Sequence, residues 1–337
     1  MTDIAIIGAG AWGTGLAIVL GRKGTHRVRL WAHEIDVCES INQTRINEKF
    51  LPARLVPESV EATKNLAAAL EGARIVVSVM PSQHCRSLFE QMRPFIAPEA
   101  SIVSATKGLE ERSLQRMTEV ISDVLKSNHS IGALSGPSFA QEVARGDPTA
   151  ITIASSDAAL ARTIQQEFSG SSFRVYTNPD VVGVELGGAL KNIIAIAAGI
   201  SDGLGFGHNS AAALITRGLA EMTRLTVACG GRADTMAGLA GLGDLVLTCT
   251  GGLSRNRSVG VALGKGGKLP DIIANMHGMV AEGVFTTTAA VGLARARKVE
   301  MPITEQMHAI LHHGKSPKEA IQELMTRSGK SESILTS

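Results

Sequence analysis

The chain has 337 residues, which is enough for roughly two domains with sizeable cores. Its 33 basic and 31 acidic side chains leave a net charge of +2, which excludes a generally basic, nucleic-acid-binding character. The four cysteines are scattered and form no C-x-x-C pair, and the N-terminus has no basic leader, which predicts a cytoplasmic protein. We expect no membrane span, because no apolar run approaches about 18 residues.

The first predicted element is a strand that runs directly into a glycine-rich turn. Residues 4–7 are apolar, Gly8, Gly10 and Gly13 have the spacing G-x-G-x-x-G, and apolar residues at helical spacing follow. In such a turn the first glycine permits the reversal, the second lets the backbone approach a pyrophosphate, and the third lets the helix pack on the strand. The helix N-terminus adds unpaired N–H groups. The context predicts dinucleotide binding, and the alternative is a glycine-rich turn without a ligand.

The end of the second predicted strand bears on which dinucleotide is bound. The sequence there is Ala32-His33-Glu34. An acidic residue at this place binds the ribose 2′-hydroxyl of NAD, whereas a cation favours the 2′-phosphate of NADP. His33 favours NADP, and Glu34 leaves NAD open.

Strands and helical stretches alternate through the first half of the chain. Apolar runs predict strands at 27–32, 74–82, 101–108, 150–156 and 173–180, with helices between them. The pattern predicts an α/β fold, a Rossmann-type doubly wound parallel sheet in a domain of residues 1–180. Ligands of such sheets lie at the carboxyl ends of the strands, so Pro81, Ser82 and Lys107 are expected to point at the ligand.

The second half is predicted to be mainly helical. Asn178 and Pro179 have the types of an N-cap and a first helical residue, and an apolar helix is expected from there to about Ile200. Further helices are expected at 211–229 and 286–297. We therefore predict a helical domain at 181–330 and a polar tail at 331–337.

One lysine stands out in the long apolar helix. Lys191 is the only charged residue between Glu185 and Asp202. Helical side chains lean toward the N-terminus, so the ammonium is expected over a notch formed by Gly187 and Gly188. The alternative is a lysine paired with a carboxylate for structure, with glycines that serve only helix packing. Burial would lower the pKa of this lysine and a nearby carboxylate would raise it.

A second group of candidates lies at 240–260. Ser254 can cap a helix that begins with Arg255 and Asn256, which places N–H groups, a hydroxyl and a guanidinium around one point. Such a point suits a phosphate or a carboxylate. The alternative, a basic surface helix without a ligand, opposes the helix dipole. Asp244, in a glycine-rich segment, is a candidate partner for a lysine or a substrate hydroxyl.

Several motifs in order carry a family resemblance. They are GAGAWGT at the start, ATKGLE at 105–110, SGPSFAQE at 135–142, GGALKNIIAI at 187–196, GLGDLVLTC at 241–249 and SRNR at 254–257. In these motifs and along nearly its whole length the chain resembles the bacterial NAD(P)-dependent glycerol-3-phosphate dehydrogenases.

The resemblance implies roles for individual residues. Lys191 matches the proton donor and acceptor, Lys107 matches a lysine placed between cofactor and substrate, and Asp244 completes the catalytic group. The substrate-contacting positions match Lys107, Gly136, Ser138, Lys191, Asp244, Ser254, Arg255 and Asn256. The cofactor-contacting positions match Gly8, Gly10, Ala11, Trp12, Gly13, His33, Lys107, Ala140, Arg255, Val280 and Glu282.

The resemblance also implies an activity. This is reversible hydride transfer between NAD(P)H and dihydroxyacetone phosphate, a phosphorylated triose, giving sn-glycerol 3-phosphate for phospholipid synthesis. A homodimer is implied as well. No cluster of His, Cys, Asp and Glu has metal-ligand spacing, so no metal is expected.

Other functions stay open beside this one. A related two-domain NAD(P)-dependent dehydrogenase of a hydroxy acid or sugar acid could use Arg255 for a carboxylate. A non-catalytic Rossmann nucleotide sensor would bind the cofactor without turnover, and it would leave Lys191 unexplained. A methyltransferase is disfavoured because the strand before Gly8 ends in Ile6-Ile7.

Overall fold

The computed structural model describes residues 1–126, 128–276, 279–329 and 332. The chain divides into two compact units, a first unit of Met1–Thr106 with Met117–Val181 and a second unit of Lys107–Arg116 with Val182–Ser337. The segment Lys107–Arg116 thus belongs to the second unit, whereas a single boundary near residue 180 would place it in the first. The predicted polar tail lies outside the described residues except for Glu332.

An eight-stranded sheet organises the first unit. The strands are β1 (Thr2–Ile7), β2 (His26–Trp31), β3 (Ile46–Asn47), β4 (Leu51–Leu55), β5 (Val60–Thr63), β6 (Ile75–Ser78), β7 (Ser101–Ser104), β8 (Ile131–Ser135), β9 (Thr149–Ala154) and β10 (Phe173–Asn178). The main sheet has the order β10-β9-β8-β7-β6-β1-β2-β5, and β3 and β4 form a separate antiparallel pair. From β5 to β8 this is the strand order of dinucleotide-binding folds, in which the order reverses beside β1.

The predicted doubly wound parallel sheet is confirmed, with one departure. All neighbouring strands of the main sheet run parallel except β8 and β9, which pair antiparallel from Ala133 opposite Ala154 to Ser135 opposite Thr152. The strands β3, β4, β5 and β8 were not predicted, because each is short and has no run of adjacent β-branched residues.

Helices cover both faces of this sheet. They are α1 (Ala11–Arg22), α2 (Ile35–Thr44), α3 (Leu66–Leu70), α4 (Cys85–Met92), α5 (Met117–Leu125), α6 (Ala140–Arg145) and α7 (Ala158–Phe168). Alternate residues of β1 point to opposite faces, so Ile4 and Ile6 lie in one apolar cluster and Ala5 and Ile7 in another. Burial on both faces explains why β1 is an uninterrupted apolar run.

The second unit is helical. Its helices are α8 (Val181–Gly203), α9 (His208–Ala228), α10 (Ala233–Met236), α11 (Asp244–Thr250), α12 (Arg255–Gly264), α13 (Leu269–Ala274), α14 (Glu282–Arg297), α15 (Pro302–His313) and α16 (Pro317–Met325). The predicted start of α8 was wrong by two residues. The Asn178 side chain accepts from the N–H of Asp180 at 2.8 Å and so closes a turn ahead of the helix.

The helix α8 ends at Gly203, three residues beyond the predicted end near Ile200. It has the length and hydropathy of a membrane span, with a mean hydropathy of 1.6 over its apolar window. However, 89% of that window is buried inside the protein, as in a core helix. Among the described residues, α10 to α12 have the length and hydropathy of a membrane span only if they are counted as one helix across a 48° bend.

Candidate functional site

The glycine-rich turn has the backbone geometry that its three glycines predict. Gly8 has a φ of +123°, and a Cβ there would lie 2.6 Å from the carbonyl oxygen of Val79. A Cβ on Gly13 would lie 1.8 Å from the carbonyl oxygen of Gly8, so the helix can approach the strand only without one. A Cβ on Gly10 would have no atom within 4 Å. The first and third glycines therefore serve close packing, and the second leaves open space.

The start of α1 fits the pyrophosphate of a dinucleotide. Gly10 is the N-cap and offers no side chain to the first-turn N–H groups, which lack intrahelical partners. Ala11 and Trp12 are the first two helical residues. The Trp12 indole Nε1 is buried without a hydrogen-bond partner among the described residues. A cradle free of side chains and an unused buried donor beside it suit NAD(P).

After the end of β2, Glu34 follows His33 and forms an ion pair with Lys49. His33 is exposed and its ring lies 5.9 Å from that of Trp31, centroid to centroid. The Lys49 ammonium lies 3.6 Å from a Glu34 carboxylate oxygen and 3.8 Å from one of Asp36. Glu34 is therefore partly neutralised by a cation that the sequence analysis did not consider.

The loop after β8 carries the remaining predicted residues of the first unit. Gly136 has a φ of +142°, and a Cβ there would lie 2.9 Å from the Cα of Ile151. The Ser138 hydroxyl donates to the carbonyl oxygen of Gly136 at 2.9 Å. Ala140 is the first residue of α6. These residues form one turn at the carboxyl end of a strand, where ligands of such sheets bind.

A buried cluster of two lysines and one carboxylate lies in the second unit. The Lys191 ammonium is 3.1 Å from Asp244 Oδ1 and 2.7 Å from the hydroxyl oxygen of Thr248. The Lys107 ammonium is 2.6 Å from Asp244 Oδ2. Asp244 is 1% exposed and Lys191 is 6% exposed. The structure thus brings together the three residues predicted to be catalytic. We call Lys107, Lys191, Asp244 and Thr248 the lysine–aspartate cluster.

Burial decides the titration of Lys191. Loss of solvation lowers its pKa from 10.5 to about 8, against the attraction of the Asp244 carboxylate, and repulsion by Lys107 adds to the lowering. The ammonium can therefore give up a proton near neutral pH, as a proton donor and acceptor must.

A π-helical turn sets the position of Asp244. Leu239–Gly243 forms this turn directly ahead of α11, with the N–H of Gly243 donating to Gly238 at 3.1 Å. A Cβ on Gly187 of α8 would lie 2.4 Å from the carbonyl oxygen of Ala240 in the turn. The expected notch at Gly187 is thus filled by backbone. It brings the turn against the helix that carries Lys191 instead of leaving space beside the amine.

The start of α12 has the predicted cap. The Ser254 hydroxyl accepts from the N–H of Arg257 at 3.2 Å, which confirms Ser254 as the N-cap. Arg255 is exposed, whereas Arg257 is directed to Asp202 at 2.7 Å. Arg255 is therefore the guanidinium of this turn that can reach an anion at the helix N-terminus. Glu282, the first residue of α14, attracts the Arg255 guanidinium through its negative charge. Val280, two residues before Glu282, is half-buried.

Two residues near Lys191 were missed by the sequence analysis. Thr248 accepts from Lys191 and donates to the carbonyl oxygen of Asp244 at 2.6 Å. Its position four residues after Asp244 on a helix could have indicated it. Asn192 accepts through its side-chain oxygen from the Asn256 amide at 3.0 Å, and the Asn256 oxygen accepts from the N–H of Gly283 at 2.9 Å. These bonds connect α8, α12 and α14, and sequence spacing gives no signal for them.

Together, a dinucleotide-binding sheet and a helical unit with a buried lysine beside a carboxylate define a nicotinamide-dependent dehydrogenase with two domains. Comparison with known proteins agrees. Residues 3–161 match the family model of the NAD-dependent glycerol-3-phosphate dehydrogenase N-terminus, and residues 180–322 match that of its C-terminus. The chain belongs to the NAD-dependent glycerol-3-phosphate dehydrogenase family, as the sequence motifs predicted.

Individual relatives cover nearly the whole chain. A glycerol-3-phosphate dehydrogenase [NAD(P)+] of Koribacter versatilis (strain Ellin345) is 67% identical over 98% of this chain and 99% of its own. That of Acidobacterium capsulatum is 57% identical over 98% of this chain and 100% of its own. The crystal structure of glycerol-3-phosphate dehydrogenase from Coxiella burnetii is 44% identical and covers 97% of this chain and 99% of its own, with a TM-score of 0.93. The predicted family and its oxidoreductase class, with NAD(P)(H) as cofactor, are thereby confirmed.

Proposed function

We propose that the protein catalyses reversible hydride transfer between NAD(P)H and dihydroxyacetone phosphate, giving sn-glycerol 3-phosphate. The lysine–aspartate cluster carries this proposal. It holds a buried ammonium with a pKa of about 8 on a carboxylate and a hydroxyl, which is the arrangement of a general acid and base. The family membership supplies the substrate.

The first unit is proposed to hold the cofactor. When bound, NAD(P)H supplies the hydride. The N–H groups at the start of α1 would bind the pyrophosphate, and the Trp12 indole N–H would gain the acceptor that it lacks among the described residues. His33 and Ala140 are proposed as further contacts of this unit. Lys107, Arg255, Val280 and Glu282 are proposed as contacts from the second unit.

Lys191 is proposed to move the proton. In reduction the C2 carbonyl carbon would gain the hydride that NAD(P)H supplies, and its oxygen would take a proton from the Lys191 ammonium. A C–H and an O–H bond would form while the carbonyl π bond and the Lys191 N–H bond break, which leaves a neutral amine and NAD(P)+. In oxidation neutral Lys191 takes the proton back. Asp244 would orient the amine, and the Lys107 ammonium would add positive potential at the developing alkoxide.

The start of α12 is proposed to bind the phosphate of the substrate. Arg255 supplies a guanidinium, and the capped helix start supplies N–H groups and a partial positive charge. Ser254 and Asn256 border this point, and Gly136 and Ser138 are proposed as further substrate contacts from the first unit. Holding the phosphate fixes the position of C2, which contributes to catalysis by orientation.

Turnover with a panel of substrates tests the proposal. We expect oxidation of NADPH or NADH with dihydroxyacetone phosphate, and far less with unphosphorylated dihydroxyacetone or with keto acids. Lys191→Ala should abolish turnover while nucleotide binding survives, and Arg255→Ala should chiefly raise the KM for dihydroxyacetone phosphate. Activity on a keto acid alone would assign the protein to hydroxy-acid dehydrogenases. Cofactor binding without any turnover would indicate a sensor.

We further propose a cytoplasmic homodimer that supplies glycerol 3-phosphate for phospholipid synthesis. Support for the compartment is that the four cysteines are scattered along the sequence without a C-x-x-C pair. Support for the dimer is the family resemblance, together with large apolar side chains exposed on the second unit, such as Phe206 and Val246. Light scattering of the purified protein tests the dimer, and a monomeric mass at micromolar concentration would contradict it.

A further inference from the structure

The segment Lys107–Arg116 is a short excursion of the chain into the second unit. Residues on either side of it belong to the first unit. It is closed by an antiparallel bridge between Leu109 and Arg116, and the N–H of Glu110 donates to the carbonyl oxygen of Gln115 at 3.0 Å. We call this segment the 107–116 hairpin. It begins with the predicted catalytic lysine and ends with an arginine.

Apolar contacts hold the middle of the 107–116 hairpin on the second unit. Leu109 is 0% exposed and lies in the core of that unit. Leu114 packs on Gly292 of α14, where a Cβ would come within 3.0 Å of the leucine side chain. These contacts fix the turn of the hairpin, and the side chains of its first and last residues make ion pairs with other elements of the second unit.

An ion pair fixes the last residue. Arg116 Nη1 lies 2.5 Å from Glu185 Oε2, and the two side chains are 15% and 6% exposed. Glu185 lies on α8, six residues before Lys191, which is a rise of about 9 Å along the helix axis. The pair therefore attaches the end of the hairpin to the helix that carries Lys191.

Lys107, the first residue of the 107–116 hairpin, depends on a fixed backbone because its side chain is long and flexible. Lys107 reaches Asp244 through a flexible four-carbon side chain that is 19% exposed, so its ammonium stays there only if its backbone is held. The position of this ammonium also matters to Lys191, because repulsion between the two cations contributes to the low pKa of Lys191 after the larger effect of burial. A displaced Lys107 would both lose Asp244 and relieve that repulsion.

We propose that the Arg116–Glu185 ion pair positions Lys107 for catalysis by holding the 107–116 hairpin on α8. Arg116 and Glu185 are positioning residues that act through Lys107, and they need not touch the substrate. The inference rests on the proposed function.

A double-mutant cycle tests the inference. We compare Arg116→Met in the wild-type background and in the Lys107→Ala background, with kcat and KM for dihydroxyacetone phosphate over a range of pH. In the wild-type background we expect a loss in kcat/KM of about 10- to 100-fold and an alkaline limb displaced to higher pH. In the Lys107→Ala background the same change should cost less than about twofold. Equal losses in the two backgrounds, or an unchanged pH profile, would overturn the inference.

Controls separate positioning from general damage. Arg112→Met removes an exposed arginine from the same hairpin and should leave the kinetics at the wild-type level. Arg116→Lys keeps the charge but not the planar guanidinium, and it should recover part of the loss. If Arg116→Met does not fold, the cycle is run with Arg116→Lys, and non-additivity with Lys107→Ala again decides.

A second readout does not depend on turnover. Acetylation of lysines followed by mass spectrometry should show Lys107 modified several-fold faster in Arg116→Met than in the wild type, because the ammonium is released from Asp244. An unchanged rate at Lys107 would count against the inference. Absence of turnover in the wild-type protein would instead contradict the proposed function, so the two failures are distinguishable.

Discussion

Lys191 is buried, and its partner Asp244 stabilises the charged ammonium form. The helix around it is almost entirely apolar, and the carboxylate and hydroxyl that hold it come from one turn of α11. Burial favours the neutral amine and Asp244 favours the ammonium. The balance places the pKa at about 8, between the values of a solvated lysine and a fully isolated buried one.

The titration of Lys191 predicts a pH profile for each direction of the reaction. Reduction needs the ammonium, so kcat/KM for dihydroxyacetone phosphate should be level below about pH 8 and fall about tenfold for each pH unit above it. Oxidation needs the neutral amine and should rise through the same pH range. Steady-state kinetics in both directions measure this. A reduction profile that stays flat to about pH 10 would exclude Lys191 as the donor.

Lys49 predicts the cofactor preference. By pairing with Glu34 it weakens the carboxylate that left NAD open in the sequence, and it adds a cation beside the residue that follows His33. We expect kcat/KM to be higher with NADPH than with NADH, and the ratio to fall a few-fold in Lys49→Ala, since exposed pairs contribute little. Lys64→Ala serves as a comparison with another lysine of this unit. A ratio that rises in Lys49→Ala would contradict the interpretation.

Glu221 is a buried carboxylate that the proposed reaction does not use. It lies on α9 and accepts from the N–H groups of Ile303 and Thr304 at 2.7 and 3.2 Å, so it caps the start of α15 from another helix. Burial raises its pKa from 4.5 to about 7, against these hydrogen bonds. The folded protein therefore binds this proton more tightly than the unfolded chain does.

The raised pKa of Glu221 predicts how stability depends on pH. Its stabilising contribution is fully present below about pH 4.5 and is lost as the pH rises through about 7, a change on the order of 3 kcal/mol. In Glu221→Gln this dependence should disappear. Urea unfolding of both proteins between pH 5 and about pH 8 measures the difference. Parallel stability curves over that range would show that Glu221 does not titrate there.

At the scale of elements, the crossing of α8 and α12 depends on glycines in both helices. A Cβ on Gly199 would lie 2.0 Å from the carbonyl oxygen of Arg257, and one on Gly260 would lie 2.0 Å from that of Ile196. Gly203 and Gly264 repeat the contact one turn later. The two backbones therefore touch. This contact holds the start of α12, with Ser254 and Arg255, against the helix of Lys191.

Gly260→Ala is predicted to force the two helices apart. Because the clash is with backbone rather than a flexible side chain, we expect a loss of about 1–3 kcal/mol in the free energy of unfolding. The KM for dihydroxyacetone phosphate should also rise as Arg255 moves. Denaturant unfolding and kinetics measure the two effects. The matched control is Gly252→Ala, whose Cβ would have no atom within 4 Å, and an equal loss in the control would refute the packing argument.

At the scale of the whole molecule, the buried apolar residues form separate cores. Two clusters lie on the faces of the sheet in the first unit, and a third lies among the helices of the second. Each unit has its own core, although the chain passes from one unit to the other at residues 106, 116 and 181. Units with separate cores can unfold in separate steps.

Calorimetry is expected to show more than one unfolding step. The calorimetric enthalpy should exceed the van't Hoff enthalpy, and NADPH at about 100 times its Kd should stabilise the cofactor-binding unit by about 2.7 kcal/mol. The transition of the first unit should therefore move most. A single transition with equal enthalpies, with and without NADPH, would show that the units unfold together.

Local patterns in the sequence determined much of this protein. The glycines at 8, 10 and 13, the apolar strand before them and the Ser254 cap are short-range features, since turn geometry and capping depend on residues a few positions apart. The alternation of strands and helices predicted the parallel sheet for the same reason. The antiparallel β9 and the unpredicted β5 and β8 depend on pairing between distant segments, which short apolar runs do not specify.

Only the tertiary structure decided how the site residues interact. Lys107, Lys191, Asp244 and Thr248 come from three separate stretches of the chain, and their distances follow from the packing of a π-helical turn on Gly187 and of the 107–116 hairpin on α8. The direction of the pKa shift of Lys191 was open in the sequence, because it is a balance between burial and a carboxylate distant along the chain. Solvation and charge depend on neighbours in space. The sequence by itself therefore determined which residues are candidates, and the packing of distant segments decided which of them act on one another.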